Sequence, residues 1–207
     1  VLPCDVANDK EMANLFIENL PALNHLDGIF LCAGICEYID LPNFNIASFK
    51  KAFSVNFQGT VNSCAAAYHL LDNSALRKQG EKPFILGLCS MSSYLGFPRA
   101  EAYGASKAAM AYFLNSLRAD IGERIDVIPV FLGFVDTPMT AQNDFPMPFI
   151  VSPEEAAKGI LNKLKKRPLR INFPWRLHVV LNIFSKLQRL WYWYIIPILR
   201  RFGSPPL

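Results

Sequence analysis

The chain has 207 residues, a net charge of +4 and a hydrophobic fraction of 52%. This length is enough for one α/β domain with a sizeable core, and it gives no reason to expect two domains. The charge is too small to indicate a nucleic-acid-binding protein, and the five cysteines contain no Cys-x-x-Cys pair. We therefore expect buried thiols in a reducing, cytoplasmic compartment and no bound metal.

Apolar, strand-like runs alternate with helical patterns along the chain. The predicted strands are residues 28–33, 84–90, 125–131 and 169–173. The predicted helices are residues 9–20, 46–72, 101–121 and 153–167. This alternation predicts a parallel sheet with helices on both faces.

An amide and several hydroxyl side chains lie in or next to these predicted elements and are candidates for a functional site. Asn56 lies in the otherwise apolar helix 46–72, where a buried amide needs hydrogen-bond partners. Ser90 ends the strand 84–90, at the carboxyl edge where open α/β sheets bind ligands. Ser92 and Ser93 follow closely and remain alternatives to Ser90.

Tyr103 and Lys107 are four residues apart on a predicted helix, so both are expected on one face. A positive charge beside a phenol favours the phenolate and lowers its pKa from about 10 toward neutral pH. We therefore expect Tyr103 to act as a general acid and base toward a carbonyl or an alcohol.

In order and spacing, Asn56, Ser90, Tyr103 and Lys107 resemble the catalytic set of the short-chain dehydrogenase/reductase family. The resemblance covers residues 1–174, and residues 35–38 and 98–103 are most similar to a bacterial subgroup. It implies that Asn56 holds a water that relays a proton, that Ser90 orients the substrate and that Tyr103 exchanges the proton. Lys107 would bind the cofactor ribose.

The same resemblance implies an NAD or NADP site and hydride transfer between the nicotinamide and an alcohol or ketone. Its cofactor-binding residues would be Asp5, Val6, Ala33, Gly34, Tyr103, Lys107, Gly133, Val135 and Thr137. A substrate pocket would contain Ser90, Tyr94 and Phe97, and residues 140–150 would form an apolar wall and lid for a lipophilic substrate. The alternative is that Tyr94, Phe97 and residues 140–150 only complete the core or a subunit interface. Leu31, Cys32 and Leu132 depart from the family pattern and remove polar contacts near the cofactor, without removing a reacting group.

The Gly-rich turn that binds the cofactor diphosphate in this family lies about 50 residues ahead of the position matched by Asp5. The chain starts with Val1. We expect a piece of a longer protein in which residues 1–174 form a partial Rossmann-like, doubly wound parallel sheet without its first two strands. An interaction or membrane-surface module without catalysis is the alternative.

The C-terminal segment, residues 175–207, is predicted to be a hydrophobic, basic, helical extension. Its charge-free apolar run, residues 190–199, is about half of what a bilayer span requires. Arg189, Arg200 and Arg201 flank a group of Trp and Tyr residues, which is typical of a helix lying in a lipid interface. The alternative is a segment that packs over the active site or on a partner subunit. The resemblance implies a homo-oligomer formed through helices 46–72 and 101–121.

Overall fold

The fold is a parallel sheet with helices on both faces, as described by a computed structural model for residues 1–19 and 25–200. Within these residues the sheet has four strands in the order β1-β2-β3-β4, and every neighbouring pair is parallel. The strands are β1 (Gly28–Leu31), β2 (Phe84–Ser90), β3 (Asp126–Leu132) and β4 (Ile171–Phe173). This arrangement confirms the predicted Rossmann-like α/β fold.

The helices occupy the connections between the strands and the C-terminal segment. The longer ones are α1 (Asp9–Asn19), α2 (Ile46–Ala52), α3 (Gly59–Asp72), α4 (Glu101–Ile121), α5 (Pro153–Leu164) and α6 (Trp175–Lys186). Two short helices follow, α7 (Gln188–Leu190) and α8 (Ile196–Leu199), with a π-helical turn between them at Trp191–Ile195. The predicted end of the first helix, Leu20, lies outside the described residues.

Local interactions define both ends of α5, the last helix of the Rossmann-like part. At its start, Ser152 accepts a hydrogen bond from the Glu155 main chain, and the Glu155 side chain accepts one from the Ser152 main chain. At its end, the helix stops at Leu164, three residues before the predicted Arg167. Arg167 has a φ of 46°, a left-handed conformation that cannot continue a right-handed helix.

A π-helical turn at Phe53–Gln58 joins α2 to α3, so residues 46–72 form one helical stretch with a bulge inside it. Such bulges are rare and occur frequently at functional sites. Asn56 lies within this turn and is completely buried. The local widening therefore places a polar side chain in the protein interior.

Side chains of the sheet alternate between two hydrophobic clusters, one on each face. Ile85 and Cys89 of β2 face the larger cluster, which contains residues of α3, α4 and the C-terminal helices. Leu86 of β2 and Ile128 of β3 face the smaller cluster with Ile160 of α5. The sheet is therefore covered by α3, α4 and the C-terminal segment on one side and by α5 on the other.

Strand β1 is at the edge of the sheet, and within the described residues its only strand partner is β2. Asp5 and Val6 precede α1 without belonging to a strand. The Asp5 carboxylate instead accepts a hydrogen bond of 2.9 Å from the main chain of Ala7.

The C-terminal helices share the core of the Rossmann-like part. Leu177, Leu181, Trp191 and Ile196 are buried in the same cluster as Met110 of α4. Trp191 Nε1 donates a hydrogen bond of 2.9 Å to the Gly96 main-chain oxygen. Among the described residues, no helix combines the length and the apolar character that crossing a bilayer requires.

Truncation of Trp191 tests this packing. Trp191→Ala removes a side chain that is 3% exposed, together with its hydrogen bond, so we expect the free energy of unfolding to fall by about 3–5 kcal/mol. The matched change Trp193→Ala removes a ring that is 68% exposed and should alter that free energy by less than about 0.5 kcal/mol. Urea unfolding followed by circular dichroism measures both, and equal effects would contradict the packing.

Candidate active site

The predicted catalytic residues come from three elements that meet at the C-terminal end of β2. Ser90 is the last residue of β2, and Tyr103 and Lys107 lie one turn apart on α4. Asn56 enters from the π-helical turn before α3. Lys107 Nζ donates a hydrogen bond of 2.8 Å to the main-chain oxygen of Leu88, which fixes α4 against the end of β2.

Ser90 is the serine of this segment whose side chain acts on the Tyr103 phenol, where it lowers the pKa. Its Oγ also accepts hydrogen bonds from the Ser92 main chain (3.1 Å) and the Ser92 hydroxyl (3.0 Å). Ser93 Oγ instead donates to the Ser90 main-chain oxygen at 2.6 Å. Because a hydroxyl carries one proton and two acceptor sites, Ser90 retains its proton for the phenol or for a ligand.

The acidity of Tyr103 differs from the sequence prediction. Burial raises the pKa of the Tyr103 phenol to about 12, and the interaction with Ser90 only partly opposes this rise. The nearby thiols of Cys36 and Cys89 raise the pKa further. The prediction that Lys107 lowers this pKa is therefore wrong for this structure: the lysine shares a helix face with the tyrosine, but its ammonium is bound to Leu88 at the end of β2.

The Lys107 ammonium is buried and incompletely paired. Burial lowers its pKa from the ordinary 10.5, while the nearby thiols of Cys89, Cys32 and Cys36 act in the opposite direction. In the described part of the chain, no Asp or Glu forms an ion pair with it. Since an ammonium has three N–H donors and Leu88 takes one strong bond, the lysine can bind further oxygens of a ligand.

Asn56 links the loop after β1 to α4. Its Oδ1 accepts a hydrogen bond of 2.8 Å from the Ile35 main chain, and its Nδ2 donates to the Ile35 main-chain oxygen at 3.0 Å. The same Nδ2 donates to Ser106 Oγ at 2.9 Å, and Ser106 donates to the Tyr103 main-chain oxygen at 2.8 Å. Protein groups thus occupy both amide donors, so Asn56 positions the loop and the helix that carries Tyr103; its part in a proton-relaying water stays a prediction.

The absence of a side chain at Gly34 leaves room beside the polar groups of the site. A Cβ atom there would lie 3.1 Å from Lys107 Nζ and 3.3 Å from Asn56 Oδ1. Any larger residue would therefore displace the ammonium or the amide. Ala33, next to it, is exposed at the end of β1. This open backbone edge could receive a ribose whose hydroxyls accept from Lys107.

The other residues predicted to bind a cofactor are held at neighbouring positions. In the sheet register Ser90 pairs with Leu132, so Gly133 comes directly after the residue opposite Ser90. Val135 forms a bridge with Val151, and the Thr137 main chain donates to Thr140 Oγ1 at 3.0 Å.

Asp5 and Val6 lie at a separate place, at the start of α3. The Val6 main-chain oxygen accepts a hydrogen bond of 2.9 Å from Asn62 Nδ2, and its side chain packs on Gly59. The Asp5 side chain is exposed and makes a local bond to Ala7. These contacts fix the segment one turn beyond the bulge that contains Asn56.

Tyr94 and Phe97, predicted as substrate-pocket residues, contact the C-terminal part of the chain. The Tyr94 hydroxyl donates to Asn172 Oδ1 at 2.9 Å, and its ring lies 5.7 Å from the His178 ring. The Phe97 ring meets Trp191 edge-on at 5.1 Å. This side of the site is thus supported by β4 and the C-terminal helices, and a role for either ring in holding substrate stays a prediction.

Residues of the loop after β1 also surround the phenol, and no sequence pattern singled them out for this role. Tyr38 lies close enough to Tyr103 and Cys36 for their charges to interact. Burial raises the pKa of Cys36 to about 11 and that of Tyr38 above its ordinary range. Ser106 was missed as well, because its partner Asn56 is fifty residues earlier and the contact forms only when the chain folds.

Arg99 joins this loop to the predicted lid. Its Nε donates to Asp40 at 2.6 Å, and its Nη1 donates to both carboxylate oxygens of Asp144, at 2.9 and 3.1 Å. The guanidinium carbon also lies 4.8 Å from the centre of the Tyr38 ring. We call Arg99, Asp40 and Asp144 the Arg99 network. It connects residues 140–149 to the segment four residues before Tyr103.

Comparison with known proteins identifies the family. The sequence model described as short chain dehydrogenase matches residues 1–146. The match covers more than half of the chain, and the protein therefore belongs to the short-chain dehydrogenase family.

Individual relatives agree with this membership. An uncharacterized oxidoreductase of Myxococcus xanthus is 28% identical over 176 residues, which cover 83% of this chain and 67% of the relative. A fatty acyl-CoA reductase of Acinetobacter baylyi is 28% identical over 175 residues, covering 83% of this chain and 57% of that protein. The structure of Pseudomonas aeruginosa RhlG in an active-site complex with NADP matches with a TM-score of 0.62 and 22% identity, covering 68% of this chain and 55% of that one. The last comparison supports the fold.

The Arg99 network can be tested by removing one charge. Asp144→Asn keeps the side-chain shape but weakens its ion pair with Arg99, so we expect amide exchange in residues 140–149 to accelerate about two- to fivefold. Asp136→Asn, an exposed carboxylate of the same connection outside the network, is the matched control. Hydrogen–deuterium exchange read by mass spectrometry measures both variants. Equal rates in Asp144→Asn and the unaltered protein would contradict the role of the network.

The buried ammonium makes a second prediction, on stability. Its pKa is lower in the folded than in the unfolded chain, so its cost to stability is present at neutral pH and disappears as the pH rises through the lowered pKa to 10.5. We expect Lys107→Met to be at least as stable as the unaltered protein at neutral pH, with a difference that becomes less favourable to the variant as the pH increases. Thermal unfolding at a series of pH values measures this difference. Exposed Lys158→Met should show no such trend, and a trend of the same size in both variants would rule out burial as the cause.

Proposed function

We propose that this protein is an NAD(P)-dependent oxidoreductase that transfers hydride between the nicotinamide and an alcohol or ketone, as a short-chain alcohol dehydrogenase or carbonyl reductase. The observation that carries the proposal is that Ser90, Tyr103 and a buried, incompletely paired Lys107 meet at the end of β2. A bound nicotinamide cofactor would supply or accept the hydride. The protein would orient the reacting oxygen and manage its proton.

The ribose and nicotinamide end of such a cofactor fits the residues present. Lys107 has free N–H donors, Gly34 leaves space next to them, and the segment from Gly133 to Thr137 lies at the end of the neighbouring strand. The NADP bound to RhlG, which shares the fold, supports the assignment. The 11 glycines of the chain contain no closely spaced triplet, so the proposal assigns no residue to the diphosphate.

The two hydroxyl groups would act together on the substrate oxygen. With a pKa of about 12, the Tyr103 phenol keeps its proton at neutral pH and can donate it to a carbonyl oxygen that gains negative charge. Ser90, which accepts two bonds from Ser92, would donate its own proton to the same oxygen as a second stabilising hydrogen bond.

Aromatic residues near Tyr103 support a lipophilic substrate. The Phe145 ring meets Tyr38 at 6.2 Å and Phe134 at 6.1 Å, both edge-on. Tyr38 in turn lies near Tyr103, so this aromatic group continues from the candidate proton donor to the predicted lid. The similarity to a protein described as a fatty acyl-CoA reductase supports the same substrate class.

The second candidate function is an interaction or membrane-surface module that has the fold without catalysis. The replacement of polar family residues by Leu31 and Cys32 favours it. For either function we propose a homo-oligomer formed through the helices 46–72 and 101–121. Tyr112 supports this contact, since its ring is largely exposed on α4.

A tyrosine replacement separates the two functions. In the protein expressed from its complete reading frame, Tyr103→Phe removes the proton donor, and we expect kcat for ketone reduction with NADPH or NADH to fall by about 100- to 10,000-fold. Tyr112→Phe, on the exposed side of the same helix, should leave kcat unchanged. The decrease in reduced-cofactor absorbance gives the rate, and calorimetric titration gives the cofactor affinity, which is expected to stay within about twofold.

Two results would oppose the proposal. Normal turnover in Tyr103→Phe would refute the role of the phenol. A folded protein, as judged by circular dichroism, that binds neither NADH nor NADPH would favour the module without catalysis.

A further inference from the structure

The C-terminal helices have an outer face that the protein core does not cover. In an α-helix each residue turns by about 100°, so Trp175, Val179 and Ile183 lie within about 80° of one another. They stand opposite Leu177 and Leu181, which are buried in the core. All three outer residues are exposed, although their side chains are large and apolar.

The chain beyond α6 likewise has both buried and exposed apolar side chains. Trp191 and Ile196 are buried, whereas the consecutive rings of Tyr192, Trp193 and Tyr194 are exposed. The buried pair fixes the segment to the core, so the three rings are held in place instead of being free to fold inward. We use the name aromatic face for these three residues together with the exposed Trp175, Val179 and Ile183 of α6. Exposed large apolar side chains that are concentrated in one segment of a folded chain indicate a binding partner.

Charge indicates the kind of partner. Residues 175–200 contain Arg176, Lys186, Arg189 and Arg200 but no Asp or Glu. All four cationic residues are exposed. A second copy of this chain meeting the aromatic face symmetrically would bring these positive charges together, which costs free energy. A negatively charged surface with an apolar interior would satisfy both the rings and the cations.

We propose that the aromatic face binds the surface of an anionic lipid bilayer, with α6 and the helices of residues 188–199 lying in the plane of the interface. Trp and Tyr suit this depth because one end of each ring system is apolar and the other forms hydrogen bonds with water or headgroups. Arg and Lys side chains reach the phosphate groups while their stems stay in the apolar layer. Leu177, Leu181, Trp191 and Ile196 remain in the protein core, so the binding needs no unfolding.

The segment that carries the aromatic face also packs beside the candidate active site. The inner side of the same segment contacts Gly96 and Phe97, which lie between Ser90 and Tyr103 in the chain. A protein bound through the aromatic face would hold its candidate active site near the lipid surface. This consequence rests on the proposed function, whereas the membrane contact itself does not.

The three tryptophans provide a direct probe of the contact. Trp175 and Trp193 belong to the aromatic face, and Trp191 is buried. We expect lipids brominated along the acyl chain to quench the fluorescence of the full chain in vesicles of equal parts phosphatidylcholine and phosphatidylglycerol, with much weaker quenching in phosphatidylcholine alone. Absence of quenching in the anionic vesicles, or equal quenching in both compositions, would overturn the proposal.

Paired variants assign the contact to residues. Trp193→Ser with Tyr194→Ser should lower partitioning into anionic vesicles at least about tenfold, measured by co-sedimentation. Arg189→Gln with Arg200→Gln should lower it about tenfold or more in anionic vesicles only, because each cation near the surface contributes to binding. Leu169→Ser, which removes an exposed apolar side chain just before β4, is the control and should bind as the unaltered protein does.

Measuring the oligomeric state tests the alternative that the aromatic face is a contact between two copies of the chain. Sedimentation equilibrium of the same variants without lipid shows whether the aromatic face joins two copies of the chain. A dimer that dissociates in the Trp193→Ser, Tyr194→Ser variant would overturn the membrane assignment in favour of a protein interface. An unchanged oligomeric state combined with lost vesicle binding supports the proposal, and this result is independent of whether Tyr103 is catalytic.

Discussion

The hydrogen bond between the Lys107 ammonium and the Leu88 main-chain oxygen constrains the whole candidate site. Removing a charged amine from water costs free energy, and a single main-chain carbonyl offsets only part of that cost. The rest must come from the packing of α4 against β2, where Met110 and Leu114 are completely buried. The site therefore depends on a helix that cannot move without opening the core. That rigidity keeps the unused donors of Lys107 in one place, where a ligand can satisfy them.

Asn56 extends the same constraint to a third element. A normal α-helical turn would place a different side chain at this depth, whereas the π-helical turn brings an amide into contact with Ile35 on one side and Ser106 on the other. The loop after β1, the bulged helix and α4 are then joined by hydrogen bonds that are buried or partly buried. Because Ser106 bonds back to the Tyr103 main chain, the position of the candidate proton donor is set from two directions.

Local sequence signals predicted the elements whose ends depend on nearby residues. The bounds of β2 and α4 agree with the predicted residues 84–90 and 101–121, because an apolar run and a long helical pattern determine them without distant contacts. The pKa of Tyr103 was predicted in the wrong direction, since spacing along a helix shows proximity but does not show burial. Tyr94 and Phe97 likewise gave no signal that their rings meet His178 and Trp191, whose contacts join residues far apart in sequence.

The C-terminal segment shows why one sequence pattern supported two alternatives. An amphipathic helix with apolar residues on more than one side can pack on its own protein or on another surface, and composition does not separate these cases. In the structure the two sides are used differently. Leu181 and Trp191 are in the core, whereas Val179 and Trp193 are exposed. Attachment of the inner side holds the backbone of the exposed residues in place and lowers the entropy cost of ordering them on contact with a partner. The packing of this segment on the core therefore favours binding through its exposed side.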